Sequence, residues 1–364
     1  MAHEAQERYS DLVLAKLHSE LVLADGFVFN NDYEGDPTAG AVKIPVRDNE
    51  VAVSDYDKAN GLAPTNGSTT YTTMLIDKDK AINELIDGYD AESVPDNLVA
   101  DRLDSGGYSL AKQIDTDGAT VLLAGATVMN VASLTNDNIY SNIVDIRTAM
   151  SKANIPDDGK RYLLVTPDTF ALLLKSPEFI SASDLGDEVK QRGILGKIAG
   201  FLVKEWNDST ANLAMIAGHP RFATRAHEWM VGVKVQDLAE SGKYIGACAV
   251  QGRRVYGHKV LRSLAIRAVY APGSLTVSLA ASDEGKTIAT VSAGNTGTTY
   301  KYTKNPSSRA VYGDSYSSGT SLTSGTTKIA VSEGDILEIV NMADSKVKAV
   351  AYVTVTAADI GTGS

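Results

Sequence analysis

The texture of the chain changes abruptly after Pro272 and Gly273. From 274 to 356 it consists of short β-branched runs: "LTVSLAA", "TIATVSA", "TTYKYTK", "TKIAVS", "DILEIVN" and "KAVAYVTVT". Between them stand "SDEGK", "GNTG", "SEGD" and "ADSK", whose Gly, Asn, Asp and Ser residues favour turns. Such spacing leaves no room for a helix. Six or seven strands in roughly 80 residues predict a small β-sandwich, Ig-like in the loose sense. Before the break, helical and strand patterns alternate, so the 364 residues hold at least two architectures.

The N-terminal stretch 4–24 has Leu12, Val13, Leu17, Leu21 and Val22 at three- and four-residue spacing, which predicts an amphipathic helix needing a partner surface. "AVKIPVRDNEVAVSD" and "STTYTTMLID" are alternating β-branched runs around the turn-rich "YDKANGLAPTNG". They predict a long hairpin with a mobile tip, marginal on its own and in need of cover. A helical pattern is expected to resume at "KDKAINELIDGYDA".

Leu98, Val99, Leu103, Leu110, Ala111, Ile114 and Leu122 then suggest one long helix, or two joined at Gly106 and Gly107. In "NIYSNIVDIRTAMSKANIP", Ile139, Ile143, Ile146 and Met150 line one helical face, and Pro156 lies beyond its end. "RYLLVTP" predicts a buried strand running into a helix that starts at Pro167. "FLVKEW", "LAMIAGH", "EWMVGVKVQDL" and the stretch 242–271 predict further strands.

Chemistry is harder to find. "RGILGKIAGFLVKEWND" has closely spaced glycines beside Lys197, but a phosphate-binding loop ending at Gly196–Lys197 needs glycine at 191 and a hydroxyl at 198. Gln191 and Ile198 stand there. A dinucleotide fingerprint from Gly193 fails at Leu195 and Ile198. Gly200 is expected to turn the chain into "FLVKEW", and Gly196 to allow close packing. The histidines His3, His18, His219, His227 and His258 lack metal-pair spacing, and Cys248 is alone, so neither a disulfide framework nor a cysteine-based zinc cage is available. No cofactor, metal or catalytic residue is expected.

The formal net charge is −11, nearly all of it before residue 275, which argues against a dedicated nucleic-acid binder. Arg253, Arg254, His258, Lys259, Arg262 and Arg267 form a basic cluster on expected strands, and salt bridging within or between subunits suits it better than a polyanion. The polar start predicts no signal peptide, and no apolar run approaches a membrane span.

Three stretches, in order, carry a family resemblance. "IPDDGKRYLLVTPDTFALLLKSPEFI" (155–180) resembles the helix–strand–Pro–helix segment of tailed-bacteriophage major capsid proteins. "RGILGKIAGFLVKEWN" (192–207) resembles their G-x-x-G-x-x-x-G-F turn, and "AKQIDTDGATVLLAG" (111–125) the end of their spine helix. The resemblance covers about residues 1–272. It implies an α+β, Hong Kong 97-like fold with N-arm, E-loop, spine helix, P and A domains, plus an appended all-β Ig-like sandwich. It would place an N-terminal arm at 1–40 and an E-loop hairpin at 41–78. A P domain with the spine helix near 92–126 would take 79–134 and 226–272. An A domain would span 135–225 and the Ig-like domain 275–358.

The implied function is a non-enzymatic coat protein that assembles in the host cytoplasm into hexamers and pentamers of an icosahedral virion around double-stranded DNA. Its implied partners are other copies of itself, a scaffolding protein, the portal and DNA held non-specifically. Intersubunit contacts are expected at Leu12, Leu17, Leu21, Lys43, Arg47, Lys58, Arg253 and Arg254. Two alternatives share these features. One is an encapsulin-type compartment shell. The other is a surface or glycan-binding protein whose Tyr300, Tyr302, Tyr312 and Tyr316 stack on sugars, although strand packing is the commoner role for such tyrosines.

Overall fold

The computed structural model describes residues 21–23, 26–33, 40–46, 53–62, 69–93, 98–177, 196–238, 242–292 and 299–362. In chain order the elements begin with β1 (Ala41–Val46), β2 (Thr70–Leu75), β3 (Lys78–Ile86), α1 (Gly88–Ser93), α2 (Leu98–Gly125) and β4 (Thr127–Asn130). Next come α3 (Ile139–Lys152), β5 (Tyr162–Val165), α4 (Pro167–Leu174), β6 (Lys197–Ile198), β7 (Phe201–Glu205) and β8 (Leu213–Gly218). Then follow β9 (Ala223–Asp237), β10 (Cys248–Val260), β11 (Arg267–Tyr270), β12 (Gly273–Ser274), β13 (Val277–Ala281) and β14 (Lys286–Val291). The last are β15 (Thr299–Lys304), β16 (Thr320–Leu322), β17 (Lys328–Ala330), β18 (Ile336–Ala343) and β19 (Lys346–Thr354).

The chain divides into two compact units, one of residues 1–126 with 219–263, the other of 127–218 with 264–364. In the first, β3, β10 and β9 form an antiparallel sheet with β10 in the centre. The helix expected at "KDKAINELIDGYDA" is a correction: 78–86 is strand β3, and only Gly88–Ser93 is helical. Lys, Ala, Glu and Leu are good helix formers, but nine successive pairs from Lys78↔Tyr256 to Ile86↔Cys248 outweigh that local preference. Burial alternates along β3 as a two-residue repeat demands.

Helix α2 is single and unbroken through Gly106 and Gly107. Gly106 and Gly118 serve close packing, whereas a Cβ on Gly107 would meet nothing within 4 Å. A Cβ on Gly106 would lie 2.7 Å from Ile82 Cδ1, and one on Gly118 3.1 Å from Phe29 Cε2. Glycine costs a helix about 1 kcal/mol, which close approach to the sheet offsets. Arg102 reaches from α2 to Glu84 on β3 at 2.6 Å. The helix expected over 4–24 lies outside the described residues except at its end, where 21–23 is not helical. There Val22 and Leu23 are fully buried, as are Val28 and Phe29.

The second unit holds a six-stranded sheet in the order β4-β11-β8-β5-β7-β6. β5 and β8 are buried along their whole length, as the continuous apolar runs "YLLV" and "LAMIAG" require. Ile139, Ile143, Ile146 and Met150 of α3 are all fully buried. The buried Arg161 closes the turn after α3, its Nε donating to Pro156 O at 2.9 Å and Nη1 to Ser151 Oγ at 3.2 Å. Ala199 and Gly200 take φ of 45° and 86° in the tight turn between β6 and β7. Gly200 thus fulfils its expected role. Gly196 does not, because a Cβ there would meet nothing within 4 Å.

After β11 the chain enters two further sheets, β12-β19-β18-β15-β16 and β13-β14-β17. Ala289, Ile329, Leu337 and Ile339 bring residues of both sheets into one core, against which Tyr300 and Tyr302 pack. No slack separates this module from the six-stranded sheet. Ala271 N–H donates to Asn212 O at 3.0 Å, and Asn212 Nδ2 donates to Lys348 O at 3.0 Å. Ala132 bridges Val311, and Tyr312 stacks on Tyr270 with ring centroids 5.8 Å apart.

Candidate assembly surfaces

The first surface is the ribbon β1–β2, paired from Ala41↔Leu75 to Val46↔Thr70. Alternation sorts its side chains onto two faces. Ile44 and Met74 are buried with Ala226, flanked by Tyr33, Val42 and Leu261. The cover expected for the ribbon is thus supplied, at its base, by its own unit. Tyr71 and Leu75 remain 64% and 62% exposed. Beyond β1, Val53 is 96% exposed and Tyr56 72%. Asp57 organises the turn there, accepting from Ala59 N–H at 2.8 Å and Asn60 Nδ2 at 2.6 Å. Those two bonds, the backbone one first, hold its carboxyl below the ordinary carboxylate range.

The second surface is on the three-stranded sheet. Arg253, on the central strand, grips Asp79 of β3 through Nε and Nη2, with Nε–Oδ1 at 2.8 Å. Its guanidinium also lies over the Trp229 ring at 5.2 Å. This hydrogen-bonded partner lowers the Asp79 carboxyl below its usual pKa. Trp229, Met230 and Leu85 are exposed apolar groups on the same sheet. A register shift between Val255 and Tyr256 inserts one extra residue, Glu228, next to Trp229.

A third feature pins the segment before the ribbon. Leu23 N–H donates to Asp115 Oδ2 at 3.2 Å, and Arg225 Nη2 donates to Leu23 O at 3.0 Å. Arg225 Nε donates to His258 Nε2 at 2.9 Å, and the guanidinium lies 5.1 Å from the Phe29 ring centroid. Asn30 O accepts Arg225 N–H at 2.9 Å. The sequence-derived contact residues fall in several places. Leu12, Leu17 and Arg47 lie outside the described residues. Leu21 is half-buried beside the pinned segment, Lys43 is exposed on β1, Lys58 is exposed in the turn that Asp57 organises, and Arg253 and the half-buried Arg254 are on β10.

The internal ion pair expected of the basic cluster is present for Arg253, whereas His258 is buried and bonded to Arg225. Asp79, Trp229, Leu85, Phe29 and Arg225 escaped the sequence reading. Only the alternation of 78–86 could have signalled Asp79 and Leu85.

The tyrosines of the C-terminal module are engaged. Tyr316 and Tyr352 each donate to the buried Glu338 carboxylate at 2.6 Å, and Ala310 N–H does so at 2.8 Å. Burial, then the bond to Glu338, pushes the Tyr316 phenol up to about 12. Beside Tyr302 an open depression of about 270 Å³ is lined by Thr303, Lys304, Ser318 and Thr320. Among the described residues no group of three or more His, Cys, Asp and Glu side chains is placed to hold a metal. No described helix is long and apolar enough to cross a membrane.

The sequence profile of a family described as phage capsid protein matches residues 79–271, from β3 through β11. No curated protein matches the chain. Among solved structures, a chain of Mycobacterium phage Che8 is 25% identical with a TM-score of 0.61, over 73% of this chain and 96% of that one. The capsid structure of cyanophage P-SCSP1u gives 14% identity and a TM-score of 0.62, over 74% and 93%. The mature capsid of bacteriophage PhiM1 gives 14% and 0.54, over 71% and 92%. The mixed α and β architecture therefore matches that of phage capsid structures.

Proposed function

Since the chain belongs to the phage capsid protein family, we propose that its ribbon, its N-terminal segment and the Trp229 face are the surfaces by which copies join. The protein is a major capsid protein of a tailed phage, and its place is the shell of the virion. The reading extends to a Hong Kong 97-like subunit with an arm at 1–40, an E-loop at 41–78 and a P domain at 79–134 and 226–272. The A domain takes 135–225, and an Ig-like module takes 275–358. Subunits join as hexamers and pentamers through Leu12, Leu17, Leu21, Lys43, Arg47, Lys58, Arg253 and Arg254. A scaffolding protein, the portal and non-specifically held DNA complete the particle. The work is mechanical, without catalysis.

One observation carries the assignment of surfaces. The ribbon is anchored at Ile44 and Met74, yet it presents Tyr71 and Leu75 to solvent. Apolar groups on a two-stranded ribbon are a liability in a monomer, and a neighbouring subunit removes it. Many weak repeated contacts then add through avidity. Electron microscopy of the purified chain, with and without a co-expressed scaffolding protein, tests this. Closed shells or capsomer rings are expected. A folded chain that stays monomeric under both conditions overturns it.

A further inference from the structure

Among the described residues, the end of the ribbon comes closest to β10 at Gly257, which forms its seat. Gly257 is buried toward the C-terminal end of β10, paired with Ala226 on β9. The end of β2 passes directly over it. A Cβ on Gly257 would lie 2.3 Å from Leu75 O and 3.1 Å from Ile76 Cα. Both are main-chain atoms, so no rotamer change relieves the clash; the strand itself must move. On the same seat the Met74 side chain is fully buried with Ile44 and Ala226. Ile76 N–H donates to Gly40 O at 3.1 Å, tying the two legs together at the base. Two residues on, Lys78 pairs with Tyr256 and the chain is committed to β3.

We propose that Gly257 is a positioning residue: it sets the angle at which the ribbon leaves the subunit, and that angle fixes the curvature and diameter of the assembled shell. The proposal rests on the ribbon being an intersubunit element. Its mechanism is leverage. The six residues of β2 span about 20 Å at ~3.4 Å per residue. A tilt of about 10° at the seat displaces the far end by roughly 3–4 Å, one residue's rise. Small changes at Gly257 therefore become changes of contact between subunits, while the fold of the subunit is retained.

The test is Gly257→Ala in the full chain, measured by particle diameter in electron micrographs alongside circular dichroism and thermal unfolding. The expected result is a folded subunit with loss of the wild-type diameter class, replaced by particles of other diameters or by open sheets. A role confined to subunit stability would lower the unfolding temperature and leave the diameter unchanged. Folded Gly257→Ala that yields wild-type diameters overturns the proposal. Should Gly257→Ala fail to fold, Met74→Ala decides: it loosens the same seat from the ribbon side without touching β10. Folded Met74→Ala with wild-type diameters overturns the proposal; a spread of diameters upholds it. If the wild-type chain itself forms no shells, the assembly reading of the ribbon fails instead.

Discussion

Arg225 donates its Nε–H to the Nε2 of His258 at 2.9 Å, and the same guanidinium holds the carbonyl of Leu23 at 3.0 Å. One buried cation thus joins three segments distant in sequence: β9, β10 and the chain before the ribbon. His258 Nε2 accepts this bond, so it is the unprotonated nitrogen of the ring.

Removing that cation strands its partners. Arg225→Ala leaves Asp115 without its cation 3.5 Å away and takes a donor from the Leu23 carbonyl. Loss of one member of a buried charged network costs about 3–5 kcal/mol. The expected outcome is a lowered chemical-denaturation midpoint, with new proteolytic cleavage between residues 21 and 33. Unchanged protection of that segment would show that its buried apolar side chains hold it without the network.

Acid should act through Asp79. Its folded-state pKa lies below the ordinary 3.8, chiefly through the hydrogen bond from Arg253. A depressed carboxylate contributes stability above the unfolded pKa and loses it as pH falls through the folded value. The unfolding temperatures of wild type and Asp79→Asn should differ by a constant amount above about pH 5, and converge as pH falls below about 4. The comparison is made by calorimetry across that range.

Alkali should act on the C-terminal module. The Tyr316 phenol, raised from 10.0 to about 12 by burial and by Glu338, contributes stability below its unfolded pKa and loses it as pH rises through the folded one. Tyrosinate absorbance should show the half-buried Tyr316 titrating near 12, after the exposed tyrosines. In Glu338→Gln the Tyr316 midpoint should fall only part of the way back, because burial is the larger cause. A full return to 10.0 would make the carboxylate the dominant one.

Three deletions separate folding from assembly. Removing 52–68 leaves the Ile44–Met74 base in place, so the subunit should stay folded while shells are lost. Removing 1–20 should likewise spare the fold. Extending that cut to 24 removes the fully buried Val22 and Leu23 and should lower stability as well. Circular dichroism and electron microscopy of the three variants read the two effects separately. Normal shells from the 52–68 deletion would place the intersubunit contacts elsewhere.

What could be read from the sequence was whatever depends on near neighbours. The spacing of Ile139, Ile143, Ile146 and Met150 marks the buried face of α3, and "YLLV" marks β5, because both patterns come from local geometry. The turn-bounded runs after Pro272 likewise mark the strands of the C-terminal module. β3 was hidden because its residues favour a helix and only pairing with β10 overrules them. The Arg225 network was hidden for a different reason: Leu23 and Arg225 meet across 202 positions. Gly257 looks like any strand glycine until Leu75 is seen resting on it.

The junction between β11 and β12 also has a mechanical meaning. Pulling the C-terminal module away must break the Asn212 bonds, the Tyr270–Tyr312 stack and the Ala132–Val311 bridge together, because no slack chain lets them fail one by one. Such a joint behaves as a brittle weld rather than a spring: it holds its angle under load up to a threshold and then yields at once. Cargo fused to the module would therefore inherit the orientation of β11 and would not sweep a cone about a tether.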